Sequence, residues 1–240
     1  MGRILAVSDI HGQYAMLVAL LDKLQLQPSD HIVFMGDYVD RGPKSKQVLE
    51  TVIAMQDQHR ATLLMGNHEA IMLRAFTATH AKPWHHWIDV CGGVETLQSY
   101  NLRVEDFNTE QLPLLHQLPS DHILRHHLQA IERMHYYKAF DDVIFVHAGV
   151  DPHLPIEETP IATLLWIRDD FHKGYQGTKT IVFGHTPTYR LHQDKTNTTV
   201  YQGTNNIIGI DGGAVFGGQL HALDWTNKKI YSIHAKSCVA

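Results

Sequence analysis

Short apolar runs punctuate this chain, and most of them stop at a polar cluster flanked by glycine. Residues 3–8 (RILAVS), 32–35 (IVFM) and 61–65 (ATLLM) read as buried strands. Between the first two, Met16, Leu17, Leu20, Leu21 and Leu24 recur at helical spacing. Between the second and third, Pro43 suits a helix start, and Val48, Leu49, Val52 and Ile53 form the next stripe. Another helix is expected from about His68 to Phe76. This alternation predicts parallel pairing with crossover helices. Strands return at 143–147, 180–184, 206–210, 219–224 and 229–233, the last two as a hairpin through Thr226-Asn227. Residues 77–137 lack period-two runs and carry helical patterns near 94–100 and 121–137, so a mostly helical insertion is expected there. The whole reads as one α/β domain over residues 1–240 with a β-rich second half.

Composition narrows the function classes. A hydrophobic content of 44% and a charged content of 19% fit a soluble globular protein. A net charge of −5 offers no basic field for nucleic acid. The apolar runs fall far short of the ~20 residues a membrane span needs, so no membrane partner is expected. Two cysteines, Cys91 and Cys238, cannot build a disulfide scaffold, and no signal-peptide pattern precedes the first strand. A cytoplasmic location is the expectation. The 19 histidines are unusual, and histidine is the commonest metal ligand.

The chemistry sits at the strand ends. The first strand ends in Asp9-Ile10-His11-Gly12, the second in Gly36-Asp37 with Asp40-Arg41-Gly42 after it, and the third in Gly66-Asn67-His68-Glu69. The strand at 143 ends in His147-Ala148-Gly149 and that at 180 in Gly184-His185-Thr186. Ligands of open α/β sheets bind outside the carboxyl ends of the strands. Five loops therefore carry Asp, His and Asn side chains to one rim. This oxygen and imidazole set, without thiolate, suits Mn²⁺ first, with Fe or Zn²⁺ as alternatives. Six ligands exceed one tetrahedral ion, so two divalent ions sharing a carboxylate fit better.

The blocks DIHG (9–12), GDYVDRG (36–42), GNHE (66–69), HAG (147–149) and GHT (184–186) resemble the metallophosphoesterase superfamily, specifically its phosphoprotein phosphatase type. CGGVETLQSY (91–100), LLWIR (164–168) and IDGGAVFGGQL (210–220) add to the likeness, which spans residues 3–224. The resemblance implies two facing mixed β-sheets flanked by helices. It implies Asp9 and His11 on one metal, Asp37 bridging, and Asn67, His147 and His185 on the other. By the same likeness His68 is the general acid, Asp40 its orienting partner, and Arg41 and Arg168 the phosphate clamps. The expected activity is hydrolysis of phosphoserine or phosphothreonine, or of phosphotyrosine, in proteins by direct attack of a metal-bridging hydroxide. Tyr38 and LLWIR tilt the choice toward the protein phosphatase side, and a phosphorylated protein or a small phosphate ester is the expected substrate. Symmetrical diadenosine tetraphosphate hydrolysis is the alternative, and a silent binding module of the same fold the remote one.

Some features depart from the pattern or stand outside it. Met65 occupies a position where bacteriophage-type relatives carry Arg, and the block at 184 lacks the second His of other branches. The eight insertion histidines have no ligand pattern and are expected to be solvated or packed, as are Trp84 and Trp87 to be packing. The insertion is expected to overhang the metal rim. Glu69 is expected to serve the first turn of its helix.

Overall fold

The computed structural model of this protein describes residues 2–238; residues 1, 239 and 240 of the expected domain lie outside them. Strand β1 (Ile4–Val7) leads into α1 (Tyr14–Leu24), β2 (His31–Phe34) into α2 (Ser45–Asp57), and β3 (Ala61–Leu63) into α3 (Asn67–Thr77). The insertion holds α4 (Lys82–His86), a π-helical turn at Trp87–Cys91, α5 (Gly93–Ser99) and α6 (Ile123–Glu132). Then come β4 (Tyr137–Ala139), β5 (Val143–Val146), α7 (Ile161–Trp166), α8 (Asp169–Gly174), β6 (Thr180–Phe183) and α9 (Thr188–Leu191). The chain finishes with β7 (Tyr201–Gln202), β8 (Ile207–Gly209), β9 (Gln219–Asp224) and β10 (Lys229–His234).

The strands form two five-stranded sheets, ordered β10-β9-β1-β2-β3 and β4-β5-β6-β8-β7. Both are mixed. β1, β2 and β3 run parallel, as do β5, β6 and β8, while β9, β10, β4 and β7 pair antiparallel at the edges. The period-two pleat sorts the side chains. Ala6, Val33 and Met35 from one sheet meet Val143, Phe145 and Val182 from the other in a core between the sheets. Leu5, Val7, Ile32 and Phe34 point the opposite way, under α1, α2, α3 and the insertion. Ile144, Val146, Ile181 and Phe183 pack against Leu164 of α7 and Phe171 of α8. The expected α/β architecture, two facing mixed sheets flanked by helices, is what the chain adopts.

Several elements differ from the sequence reading. The helical pattern of 121–137 ends at Glu132, and residues 137–139 form β4. There Tyr137 pairs with Val146 at a sheet edge, and ladder hydrogen bonds plus an aromatic side chain outweigh the weak helical periodicity. β7 spans two residues, too short to leave a periodicity in the sequence. Helices α7, α8 and α9 also stand where no helix was expected; they are four to six residues long, too short for a helical stripe. The other strands and helices α1, α2 and α3 fall where the apolar pattern puts them, and 77–132 is mostly helical. No helix among the described residues is long and apolar enough to cross a membrane.

Candidate active site

All the strand-end clusters arrive at one rim. A cavity of about 400 Å³ is walled by Asp9, His11, Asp37, Asn67, His68 and His185, with Arg41 and Arg168 in the same wall. His147 lies beneath, fully buried, its Nε2 2.9 Å from Asn67 Oδ1. His185 Nδ1 lies 2.8 Å from the same oxygen. The ten residues singled out from the sequence therefore converge.

Local backbone makes this possible. Asp9, His11, Asp37, Asp40, Arg41 and His185 all have positive φ, six of the twelve non-glycine cases among the described residues. Left-handed backbone costs an L-residue roughly 1–2 kcal/mol, so something must hold these turns. For residues 37–39 the holder is Glu69, while the amides of Asp40 and Arg41 donate to the Thr96 hydroxyl and the Gly92 carbonyl. The Glu69 carboxylate accepts from the amides of Asp37 (2.8 Å), Tyr38 (2.7 Å), Val39 (3.2 Å) and Gly66 (3.0 Å). Burial and the Asp37 charge raise its pKa, and the four donors favour the ionised form against that. Glu69 thus does more than serve its own helix turn. Gly36 (φ 93°) allows the two loops to touch, because an added Cβ would lie 2.5 Å from Gly66 Cα.

The electrostatics point to cations. His11 donates Nδ1–H to the Val39 carbonyl (2.7 Å) and His147 donates Nδ1–H to the Met35 carbonyl (2.9 Å). Each Nε2 is then a lone pair. His11 Nε2 faces Asp37 Oδ2 at 3.4 Å, and His147 Nε2 faces Asp37 Oδ1 at 3.4 Å. A carboxylate flanked on both oxygens by imidazole lone pairs is repulsive unless a positive charge sits among them. Burial pushes His11 down to about 3 and His185 down to about 2, and it lowers His147, so protons do not supply that charge near neutral pH. Burial opposes ionisation of Asp37, and it is positive charge at the surrounding imidazole positions that would hold Asp37 below the usual carboxylate range. Asp9 is raised well above that range by burial and by the charges of Asp211 and Asp37. His185 Nε2 is buried with no hydrogen-bond partner.

Two donor groups emerge, His11-Asp37-His68 and Asp37-His147-His185, each with atoms within 4.8 Å of one another. Asp37 belongs to both. Asp9 joins neither: both its oxygens accept the His185 amide (3.0 Å each), and one also accepts the Ser8 hydroxyl. No insertion histidine belongs to either group among the described residues. The donor set fits divalent ions.

His68 donates Nδ1–H to Asp40 Oδ2 at 2.6 Å. Burial disfavours its charge, but Asp37 and Asp40 outweigh burial and raise it. Asp40 Oδ1 accepts from Trp87 Nε1 (2.8 Å) and from the Thr96 hydroxyl (2.9 Å). Trp87 packs among Phe76 and Trp84 as expected, and also fixes Asp40. The Arg41 guanidinium spans His11 Nε2 and His68 Nε2, 2.8 Å from each. Arg168 donates to the Thr186 hydroxyl (2.9 Å) and the His185 carbonyl (3.3 Å).

Sequence reasoning passed over Asp211, a buried carboxyl in the cavity wall that burial, with the Asp37 charge, pushes up to about 7. The signal was present: the strand at 206–210 runs into Asp211-Gly212-Gly213, the same glycine-flanked end as the others. It also passed over Arg190, on α9, and Phe216, inside the 210–220 block, which both line the cavity. The insertion does overhang the rim, through His86, Val90 and Cys91.

Comparison with known proteins agrees with this geometry. A family model described as calcineurin-like phosphoesterase matches residues 2–222. A protein of Anoxybacillus flavithermus named bis(5'-nucleosyl)-tetraphosphatase PrpE [asymmetrical] is 26% identical, covering 95% of this chain and 92% of its own. One of the same name from Halalkalibacterium halodurans is 28% identical, covering 96% and 93%. Among solved structures, one titled as a candidate diadenosine tetraphosphatase superposes with a TM-score of 0.67 at 23% identity, covering 97% of this chain and 93% of that one. A serine/threonine phosphatase from Saccharomyces cerevisiae superposes with a TM-score of 0.61 at 15% identity, covering 97% and 79%. At such identities these two structures speak to the fold alone.

Proposed function

Because the chain belongs to the calcineurin-like phosphoesterase family, we propose that it is a two-metal phosphohydrolase whose substrates are nucleoside oligophosphates. The observation that carries the two-metal reading is Asp37, with one imidazole lone pair facing each of its oxygens. Asp9 and His11 would hold one ion, Asn67, His147 and His185 the other, and Asp37 both. Mn²⁺ is the first choice, with Fe or Zn²⁺ as alternatives. When bound, the ions supply Lewis acidity and bring the pKa of water toward neutral.

The chain's own groups do the rest. Arg41 and Arg168 present planar forks that suit phosphate oxygens. Arg41 must first release the two imidazoles it now bridges, which frees His11 Nε2 as a ligand. His68 Nε2 then faces the cavity, ready to give a proton to a basic leaving oxygen. Such help is worth typically 10²–10⁴-fold. Asp40 on Nδ1 stabilises the charged imidazole, and Trp87 and Thr96 stop Asp40 from turning away.

The substrate reading draws on the aromatic walls. Trp166 is 47% exposed and Phe216 61%, and both border the cavity together with Tyr189. Exposed faces of this kind stack nucleobases. The relatives at 26% and 28% identity carry an asymmetrical dinucleoside tetraphosphatase name. Tyr38, which tilted the sequence reading toward phosphoproteins, does not bear on the choice. It is buried, and its hydroxyl shares its one proton between the Phe34 and Leu64 carbonyls, 2.8 Å from each. One observation favours the phosphoprotein reading. Trp166 also borders an open groove where Asp151 and Asp170 suit a basic peptide flank, while Asp169 is paired with Lys173.

The deciding experiment strips the metals, restores Mn²⁺ and compares diadenosine tetraphosphate, phosphoserine, phosphothreonine and phosphotyrosine peptides, and p-nitrophenyl phosphate. Preference for the dinucleotide, with AMP and ATP as products, is expected. Two ADP would establish symmetrical cleavage, and a higher kcat/KM on a phosphopeptide would overturn the substrate reading.

A further inference from the structure

A second cavity, about 520 Å³, lies against the catalytic one, and the two share Tyr189, Gly213 and Phe216 in their walls. Its remaining lining includes Lys195, Lys236, His234, Thr196 and Thr198, and no carboxylate side chain. Lys195 and Lys236 are exposed, and neither is ion-paired among the described residues. On the catalytic side of the shared wall Arg190 is likewise exposed and without a carboxylate partner among those residues.

The walls of this cavity are fixed. Ala235 donates its amide to the Gly218 carbonyl (2.9 Å), tying the strand end that bears His234 and Lys236 to the loop that bears Phe216. Buried His221 contacts the Thr198 carbonyl through Nε2 (2.7 Å), and Gln219 donates to Thr198 Oγ1 (3.0 Å), which leaves that hydroxyl's proton free to donate outward. Asp194 is outside the lining and accepts from the Thr196 amide and hydroxyl. Two ammonium groups and a hydroxyl donor thus face one space without an internal acceptor.

We propose that this second cavity is an anion subsite that holds the distal phosphates of a substrate whose scissile phosphate sits at the Asp37 cluster. A phosphomonoester needs only the first cavity, where Arg41 and Arg168 already match one phosphate. A chain of phosphates continues past Arg190, along the Tyr189–Phe216 wall, to Lys195 and Lys236. Lysine suits this role as a mobile point charge, where arginine suits the bidentate grip at the reacting phosphate. The inference rests on the oligophosphate reading given above and assigns it a location.

The test is the double variant K195A/K236A. Both positions are exposed and make no ion pair, so folding is checked simply by circular dichroism. With Mn²⁺-loaded enzyme at fixed free metal, inhibition of p-nitrophenyl phosphate hydrolysis is measured for orthophosphate, tripolyphosphate and a glutamate-rich peptide. Wild type is expected to bind tripolyphosphate more tightly than orthophosphate. The double variant should raise the tripolyphosphate inhibition constant roughly tenfold and the orthophosphate constant less than about twofold. Equal changes for both anions, or no change, would overturn the subsite. So would a larger change for the peptide than for tripolyphosphate, which would make the cavity a peptide site. Because this readout does not require hydrolysis of a dinucleotide, failure of the subsite and failure of the substrate assignment are told apart by separate measurements.

Discussion

Glu69→Gln is a sharp probe of how the fold pays for its active-site turns. The carboxylate takes two amides on each oxygen, Tyr38 and Val39 on Oε1, Asp37 and Gly66 on Oε2. Glutamine has the same shape but one acceptor. Whichever way it turns, its NH₂ group meets two N–H donors in a site with no exposure. An orphaned buried donor costs about 1–3 kcal/mol, so the pair costs about 2–6 kcal/mol. Typical native stability is about 5–15 kcal/mol, so the loss should be plain. The turn also holds Asp37 at positive φ, which loses its amide's acceptor once the clamp is gone. Urea unfolding followed by tryptophan fluorescence, on metal-free and Mn²⁺-loaded protein, measures the loss. A cost under about 1 kcal/mol would refute the clamp, since it would mean that the four amides find equivalent partners without the carboxylate.

Other outcomes follow from individual contacts. Asp30 accepts from the Arg3 side chain and amide and from the Gln27 amide, and the Arg3 hydrogen bond leads in holding it down to about 2. That folded value lies below the unfolded carboxylate, so the stabilisation is complete above about pH 5, is about half gone by pH 3 and vanishes below about pH 2. Asp30→Asn should cost about 2–3 kcal/mol at neutral pH, with a penalty that shrinks on acidification; a pH-independent penalty would contradict it. Trp87→Phe removes one of the two side-chain donors on Asp40 Oδ1. It should lower kcat roughly tenfold on an alkyl phosphate and less on p-nitrophenyl phosphate. His68→Ala should show the same ordering more strongly, and equal losses on the two substrates would remove His68 as proton donor.

Much of the site was legible because its residues obey a local rule. All but Arg168, which follows α7, sit where or just after a short apolar strand stops near a glycine, as Asp37 does after Phe34 and His147 after Val146. The alternation of Ala6 and Val33 inward with Leu5 and Ile32 outward likewise follows from the pleat alone. What escaped the sequence depends on contacts between distant segments. Trp87 and Asp40 are 47 residues apart, and nothing local says that an indole donates to that carboxylate. Glu69 looks like a helix-cap residue until the loop 32 residues earlier folds over it. Lys195 and Lys236 lie 41 positions apart in segments without a motif, and only the hairpin return of β10 puts them in one wall.

The central claim is a pair of ions joined by Asp37, and metal stoichiometry tests it most directly. Inductively coupled plasma mass spectrometry on Mn²⁺-saturated, desalted protein should find two ions per chain for wild type and loss of both for Asp37→Ala. One ion per wild-type chain, or two retained by the variant, would contradict it.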